Sequence, residues 1–257
     1  MSIATRPALE IEYPESDGQP MAETDLHRNW MVWLIELLKS FFAGQQVYVS
    51  GNLLIYYVEG NPKKSFAPDV FVVKNVRPDD RRVFKLWEEG AIPCFVLETT
   101  SRKTGHEDLG PKMLLYAKLG VREYFLFDPE RELFEPALLG YRLVGGGYMP
   151  LEMDGTQTLL SEELGILIRL EGFQLGLYDA QTGARLLSGE ERAEQAEERA
   201  SHAEELASRA EELASHAEER AGHAEERVHA VEAALEQERL ARQALEVELA
   251  KLRSRTT

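Results

Sequence analysis

The sequence predicts a mixed α/β domain, with a sheet of mixed strand direction, followed by a long α-helical coiled coil. Three observations carry this. Hydrophobic periodicity switches between helical and strand spacing up to about residue 178. All aromatic residues lie before residue 179. From residue 193 the chain divides into successive sevens.

The order of elements follows from these periods. Residues 1–20 are polar and carry Pro7, Pro14 and Pro20, a flexible lead-in. From Asp25 to Phe42, Leu26, Trp30, Trp33, Leu34, Leu37, Leu38 and Phe41 recur at helical spacing; Thr24 or Asp25 can cap the start and Gly44 follows the end. Residues 47–50 and 53–58 are apolar runs around Gly51-Asn52, a turn dipeptide, and read as a hairpin. Asp69-Val-Phe-Val-Val73 forms a third strand, residues 77–92 a charged connection, and Cys94-Phe-Val-Leu-Glu98 a fourth strand. The unbroken apolar run of that fourth strand suits burial on both faces. A second helix spans about Asp108 to Leu119, with Asp108 as N-cap, Pro111 in the first turn and Gly120 as terminator. Glu123-Tyr-Phe-Leu-Phe127 is a further strand, and short strands with Gly-rich turns, including Gly145-Gly-Gly147, fill the chain to about Tyr178. The domain reading is a lead-in over 1–20, a folded domain over 21–187 and an alanine-rich coiled coil over 188–257.

Charge divides at the same place. Residues 1–187 hold 19 Lys+Arg against 27 Asp+Glu, and residues 188–257 hold 10 against 18, so each part has a net charge of −8. Such acidity argues against a protein that coats nucleic acid by neutralising phosphates. It leaves room for an enzyme that meets DNA through one groove or through bound metal. Cys94, the one cysteine, sits in an apolar run and reads as a buried, inert thiol, so no intramolecular disulfide is available. No apolar run reaches membrane-spanning length and the N-terminus lacks the apolar core of a signal peptide; the expectation is a cytoplasmic protein with no membrane contact.

In the tail, the first and fourth positions of each seven, counted from Ala193, are alanine through five heptads. Val228, Val231, Leu235, Leu245, Leu249 and Leu252 follow, interrupted by Glu238 and Arg242. Nine heptads make a rod of roughly 90 Å. An alanine seam buries little surface, so pairing depends on the Val/Leu end. A homo-oligomer, a dimer through residues 193–255, is the expectation; a solvated single helix held by Glu–Arg pairs is the alternative. Of the tail histidines, His202, His216 and His223 recur at seven or a multiple of seven, His229 follows six residues later, and all read as decoration of a helix face.

Three residues of the folded domain are candidates for chemistry: Asp69 opening a strand after Pro68, Glu98 closing another, and Lys112 in the first turns of the second helix. A cation near a helix N-terminus opposes the macrodipole by about 0.3–1 kcal/mol. Lys112 also shares its face with Leu115, Tyr116 and Leu119, which should cover the sheet. A lysine so placed calls for an anionic partner, either the two strand-end carboxylates or a substrate phosphate. The alternative is a lysine whose stem covers the core while its ammonium reaches solvent.

The segments Ala67-Pro-Asp-Val-Phe-Val-Val73, Phe95-Val-Leu-Glu-Thr-Thr-Ser101, Asp108-x-x-x-Lys112-x-x-x-Tyr116 and Gly120-Val-Arg-Glu-Tyr-Phe-Leu-Phe-Asp-Pro129 together resemble the bacterial Uma-type endonucleases of the PD-(D/E)XK restriction-endonuclease-like superfamily. The resemblance spans about residues 20–180 and excludes the coiled coil. His27 falls where members often carry a histidine. The resemblance implies a restriction-endonuclease-like core. It further implies that Asp69 and Glu98, with the backbone carbonyl of Thr99, hold Mg²⁺ or Mn²⁺, and that the reaction is hydrolysis of DNA phosphodiester bonds. The position two after Glu98 is Thr100, so the lysine of the E-x-K element is absent there. The resemblance instead draws it from the following helix, at Lys112, with Lys103 as a possible substitute. The rival reading is a non-catalytic assembly protein built on a decayed nuclease fold.

Overall fold

The computed structural model describes residues 11–16, 18, 24–102 and 104–253; Lys103 lies outside them. Two compact units divide at Arg192/Ala193.

The first unit opens with α1 (Asp25–Phe41), capped by Thr24, whose side chain accepts from the His27 amide. Strands β1 (Val47–Ser50), β2 (Ile55–Tyr56), β3 (Ser65–Phe66), β4 (Val70–Lys74) and β5 (Phe84–Lys85) follow, then the single turn α2 (Leu86–Glu89) and β6 (Phe95–Thr99). A helical segment runs from α3 (Gly105–Glu107) through a π-helical turn (Asp108–Lys112) into α4 (Met113–Leu119). Strands β7 (Glu123–Phe127), β8 (Leu138–Val144), β9 (Gly147–Pro150), β10 (Thr158–Ser161), β11 (Ile166–Glu171) and β12 (Gln174–Asp179) complete the unit. The main sheet has the order β1-β4-β6-β7-β8-β9; β6 and β7 run parallel and the other neighbours antiparallel. Two three-stranded sheets, β3-β2-β5 and β10-β11-β12, flank it. This is the mixed α/β class that the sequence predicts.

Strand parity sorts the core into two layers. Val70, Val72, Phe95, Leu97, Phe125 and Phe127 face α1 and the β10–β12 sheet. Phe71, Val73, Val96, Tyr124 and Leu126 face the opposite way, toward Tyr116 of α4 and toward Ile55 and Phe84. Every residue of β6 and β7 is buried, because both faces of the central strands are covered. Cys94 is buried with its thiol against the Val72 carbonyl. The β8–β9 turn uses Gly145 and Gly146, both at positive φ, as a two-residue hairpin turn requires.

Two local expectations are corrected. Residues 47–50 and 53–58 do not pair as a hairpin. β1 pairs with β4, while β2 pairs with β3 and β5 in a separate sheet. The reason lies at Gly51, where a Cβ would fall 1.9 Å from the Asp69 carbonyl oxygen. The chain there crosses hard against the entry to β4, and the Asn52 amide donates to the Pro68 carbonyl at 2.7 Å. Asp108 is not a helix cap. The helix starts a turn earlier, with the Thr104 and Gly105 amides donating to the Ser101 carbonyl, and Asp108 lies inside it, 1% exposed. The widened turn contains Pro111, which has no N–H for an α-helical bond. In addition, the connection over 77–92 contains β5 and α2.

The second unit is the body of α5 (Gly189–Arg253), and its described side chains from Ala193 to Glu248 are all exposed. No described helix is long and apolar enough to cross a membrane.

Candidate active site

The register of β4 against β6 pairs Val70 with Leu97, which brings Asp69 opposite Glu98 at the strand ends. The Asp69 amide donates to Glu98 Oε2 at 3.2 Å, and the Thr99 amide donates back to Asp69 Oδ2 at 2.7 Å. Two reciprocal bonds therefore lock the two strand ends together. By parity Glu98 follows Val96 onto the α4 face, where it is 0% exposed.

The helical segment above that face supplies the partners. Asp108, Lys112 and Tyr116 are spaced four apart and form one stripe. Lys112 Nζ lies 3.2 Å from Glu98 Oε2 and 2.8 Å from Asp108 Oδ1, while Tyr116 Oη donates to Glu98 Oε1 at 2.5 Å. From the other face, α1 brings His27 Nε2 to 3.0 Å from Asp69 Oδ2. Asp69, Glu98, Thr99 and Lys112, the residues singled out in the sequence, thus meet at one end of the central strands. What Thr99 contributes directly is its amide; its hydroxyl is buried.

Burial dominates the electrostatics. It raises the Glu98 carboxyl first, Asp69 adds to the rise, and Lys112 and the Tyr116 hydroxyl only partly oppose it, leaving the group at about 8. Asp108 is raised by burial as well. Burial works against the charged form of Lys112, but Glu98 and then Asp108 outweigh it, and the ammonium is held more firmly protonated than usual. The Tyr116 hydroxyl is pushed up by burial and by the neighbouring Glu98, so it remains a donor.

Sequence spacing alone assigns Tyr116 to the sheet packing and Asp108 to a helix cap. The four-residue spacing signalled that both share a stripe with Lys112. That Tyr116 would donate to Glu98 depended on how far the helix sits above the strand. In the sequence Asp128 marks only the end of a strand. It is fully buried, and its Oδ2 accepts from the Leu133 and Phe134 amides, which fixes the loop after β7.

Hard carboxylate and carbonyl oxygens suit Mg²⁺ or Mn²⁺. Mg²⁺ keeps several waters, so two carboxylates and a carbonyl are a sufficient protein donor set. Asp69 helps to raise Glu98, a repulsion that a divalent cation would relieve. The residues fit the ion in this sense. Among the described residues no three His, Cys, Asp or Glu side chains converge to hold a metal, so a third protein ligand beside Asp69 and Glu98 would be of another kind, such as a backbone carbonyl.

Comparison with known proteins agrees with the segments that carry the resemblance. No curated protein matches the chain. A solved structure titled as that of "a putative nuclease belonging to DUF820" from Anabaena variabilis is similar at 14% identity and a TM-score of 0.42, covering 56% of this chain and 76% of that one. The model of the Uma2 family, described as "Putative restriction endonuclease", matches residues 3–174, about two thirds of the sequence, and the chain belongs to that family.

Proposed function

We propose that the protein is a metal-dependent endonuclease that hydrolyses phosphodiester bonds of DNA. Asp69 and Glu98, with the Thr99 carbonyl, are its ligands for Mg²⁺ or Mn²⁺, and Lys112 assists the attacking water or the transition state. Family membership supports a nuclease role. The observation that carries the finer reading is the partly buried Lys112 ammonium held 3.2 Å from Glu98, whose strand end is locked to Asp69.

When bound, the ion would polarise the scissile phosphate and acidify a water. The chain's own residues do the rest. Tyr116 and Lys112 fix the Glu98 carboxylate from two sides, and His27 and the Thr99 amide fix Asp69, so neither carboxylate need reorganise. Lys112 stays charged and offers N–H donors to a phosphate oxygen carrying developing charge. The seam of α5 joins two copies into a dimer, so that two single-strand cutters act together.

A rival reading has one observation in its favour. Both oxygens of Glu98 already have protein donors, as they would in a purely structural network. Supercoiled plasmid incubated with the purified protein and Mg²⁺ or Mn²⁺ separates the two. Nicking that disappears in Asp69→Ala and Lys112→Ala, with circular dichroism unchanged, supports the enzyme. Failure to cut DNA with any divalent ion overturns it in favour of a non-catalytic assembly protein.

A further inference from the structure

The residue pattern of the second unit bears on the orientation in which two copies would pair. This inference rests on the dimer stated above and adds its orientation. In α5 the seam positions are alanine from Ala193 to Ala224 and then Val228, Val231, Leu235 and Leu245, and in a single chain these large residues lie open: Val231 is 63% exposed and Leu235 65%. An exposed row of this kind wants an apolar cover.

The flanking positions select the cover by charge. The position after the second seam residue of each heptad is glutamate six times running: Glu197, Glu204, Glu211, Glu218, Glu225 and Glu232. The position before the first seam residue of the next heptad is Arg199, Leu206, Leu213, Arg220 and Arg227. In a parallel coiled coil these two rows face each other with an offset of one heptad. The pairs are then Arg199 with Glu204, Arg220 with Glu225 and Arg227 with Glu232, while Leu206 and Leu213 meet glutamates. Among these flanking pairs no like charges oppose. In an antiparallel coil each row faces itself, and the row of six glutamates meets glutamate wherever those heptads overlap. The cluster of Val and Leu at one end points the same way, because only a parallel, unshifted pair of full-length helices sets large residues against large and alanine against alanine. An in-register pair also sets Glu238 against its own copy and Arg242 against its own copy; these two layers are adjacent, and with the side chains 3.0 Å apart within one helix they carry no net charge together.

We propose that α5 pairs with a second copy of this chain as a parallel, in-register, two-stranded coiled coil. Both chains then enter the coil at the same end. Their folded units are tethered as neighbours, which raises the effective concentration of one for the other.

The test uses the full-length chain. Sedimentation of the wild type should give a dimer. Ala196→Cys and Val231→Cys, at opposite parts of the seam, should each form a disulfide-linked dimer through that position on mild oxidation, at least tenfold faster than Ser208→Cys, which lies off the seam. Peptide mapping distinguishes these links from Cys94. A monomer overturns both the dimer and its orientation, and a trimer or tetramer overturns the two-stranded coil. A dimer in which neither seam variant links to its own counterpart overturns the parallel register alone.

Discussion

Replacing Tyr116 by phenylalanine removes one oxygen from the centre of the candidate site and leaves the ring, which is 0% exposed. That oxygen donates to Glu98 Oε1 at 2.5 Å. A neutral hydrogen bond of this kind contributes about 1 kcal/mol, and one to an ionised acceptor about 1.5–3 kcal/mol, because the buried acceptor has no water to replace the lost donor. Which value applies depends on pH. The Glu98 carboxyl is raised to about 8, so between its ordinary range and pH 8 the folded state keeps a proton that the unfolded state has lost. Its contribution to stability is therefore greatest at low pH and declines as pH rises toward 8. The Tyr116 bond opposes that rise by favouring the carboxylate. Tyr116→Phe should then cost about 1 kcal/mol at pH 6.5 and roughly 2–3 kcal/mol at pH 9. Urea unfolding followed by tryptophan fluorescence reads this cleanly, since Trp30, Trp33 and Trp87 all lie in the first unit. A cost below about 0.5 kcal/mol at both pH values, or one larger at pH 6.5 than at pH 9, would refute the hydrogen bond to a buried, titrating Glu98.

Other outcomes follow from the same geometry. Gly51→Ala should destabilise the first unit by about 3 kcal/mol in the urea assay, because its Cβ would collide with backbone at Asp69; an unchanged midpoint would count against that crossing. Burial raises the Cys94 thiol to about 11, so a thiol reagent at pH 8 should leave the native protein unmodified and label one group per chain in denaturant; labelling of native protein within minutes would contradict its burial. If Glu98 is a metal ligand it must lose its proton to bind, so calorimetry should show Mg²⁺ binding more tightly at pH 9 than at pH 6.5, with protons released, and Asp69→Ala should abolish it. Binding equally tight at both pH values would remove Glu98 from the ligand set.

Elements with a strong local signature were legible in the sequence. The helix from Asp25 has a continuous 3.6-residue period and a Thr24 cap, and β7 has four successive apolar or aromatic residues, Tyr124 to Phe127, between a glycine-terminated helix and Asp128-Pro129. The hairpin expected at Gly51-Asn52 failed because a turn dipeptide reports local backbone freedom, whereas here the glycine serves close passage against another strand. The helix start was misplaced because Gly105 reads locally as a breaker, while the Ser101 carbonyl collects two amides and begins the turn regardless.

For the site, the sequence by itself determined the residue types and the four-residue stripe from Asp108 to Tyr116, since these are properties of spacing along one helix; the dipole argument for Lys112 fell with the earlier helix start, which leaves that lysine beyond the first turn. The sequence also determined the charge rows of the second unit, because heptad positions are counted along the chain. Only the tertiary structure decided that Asp69 stands opposite Glu98, that Asp108 is buried beside Lys112 and that Tyr116 donates to Glu98. Register between strands 29 residues apart and the height of a helix above a sheet are set by how two core layers pack, and no local pattern encodes them.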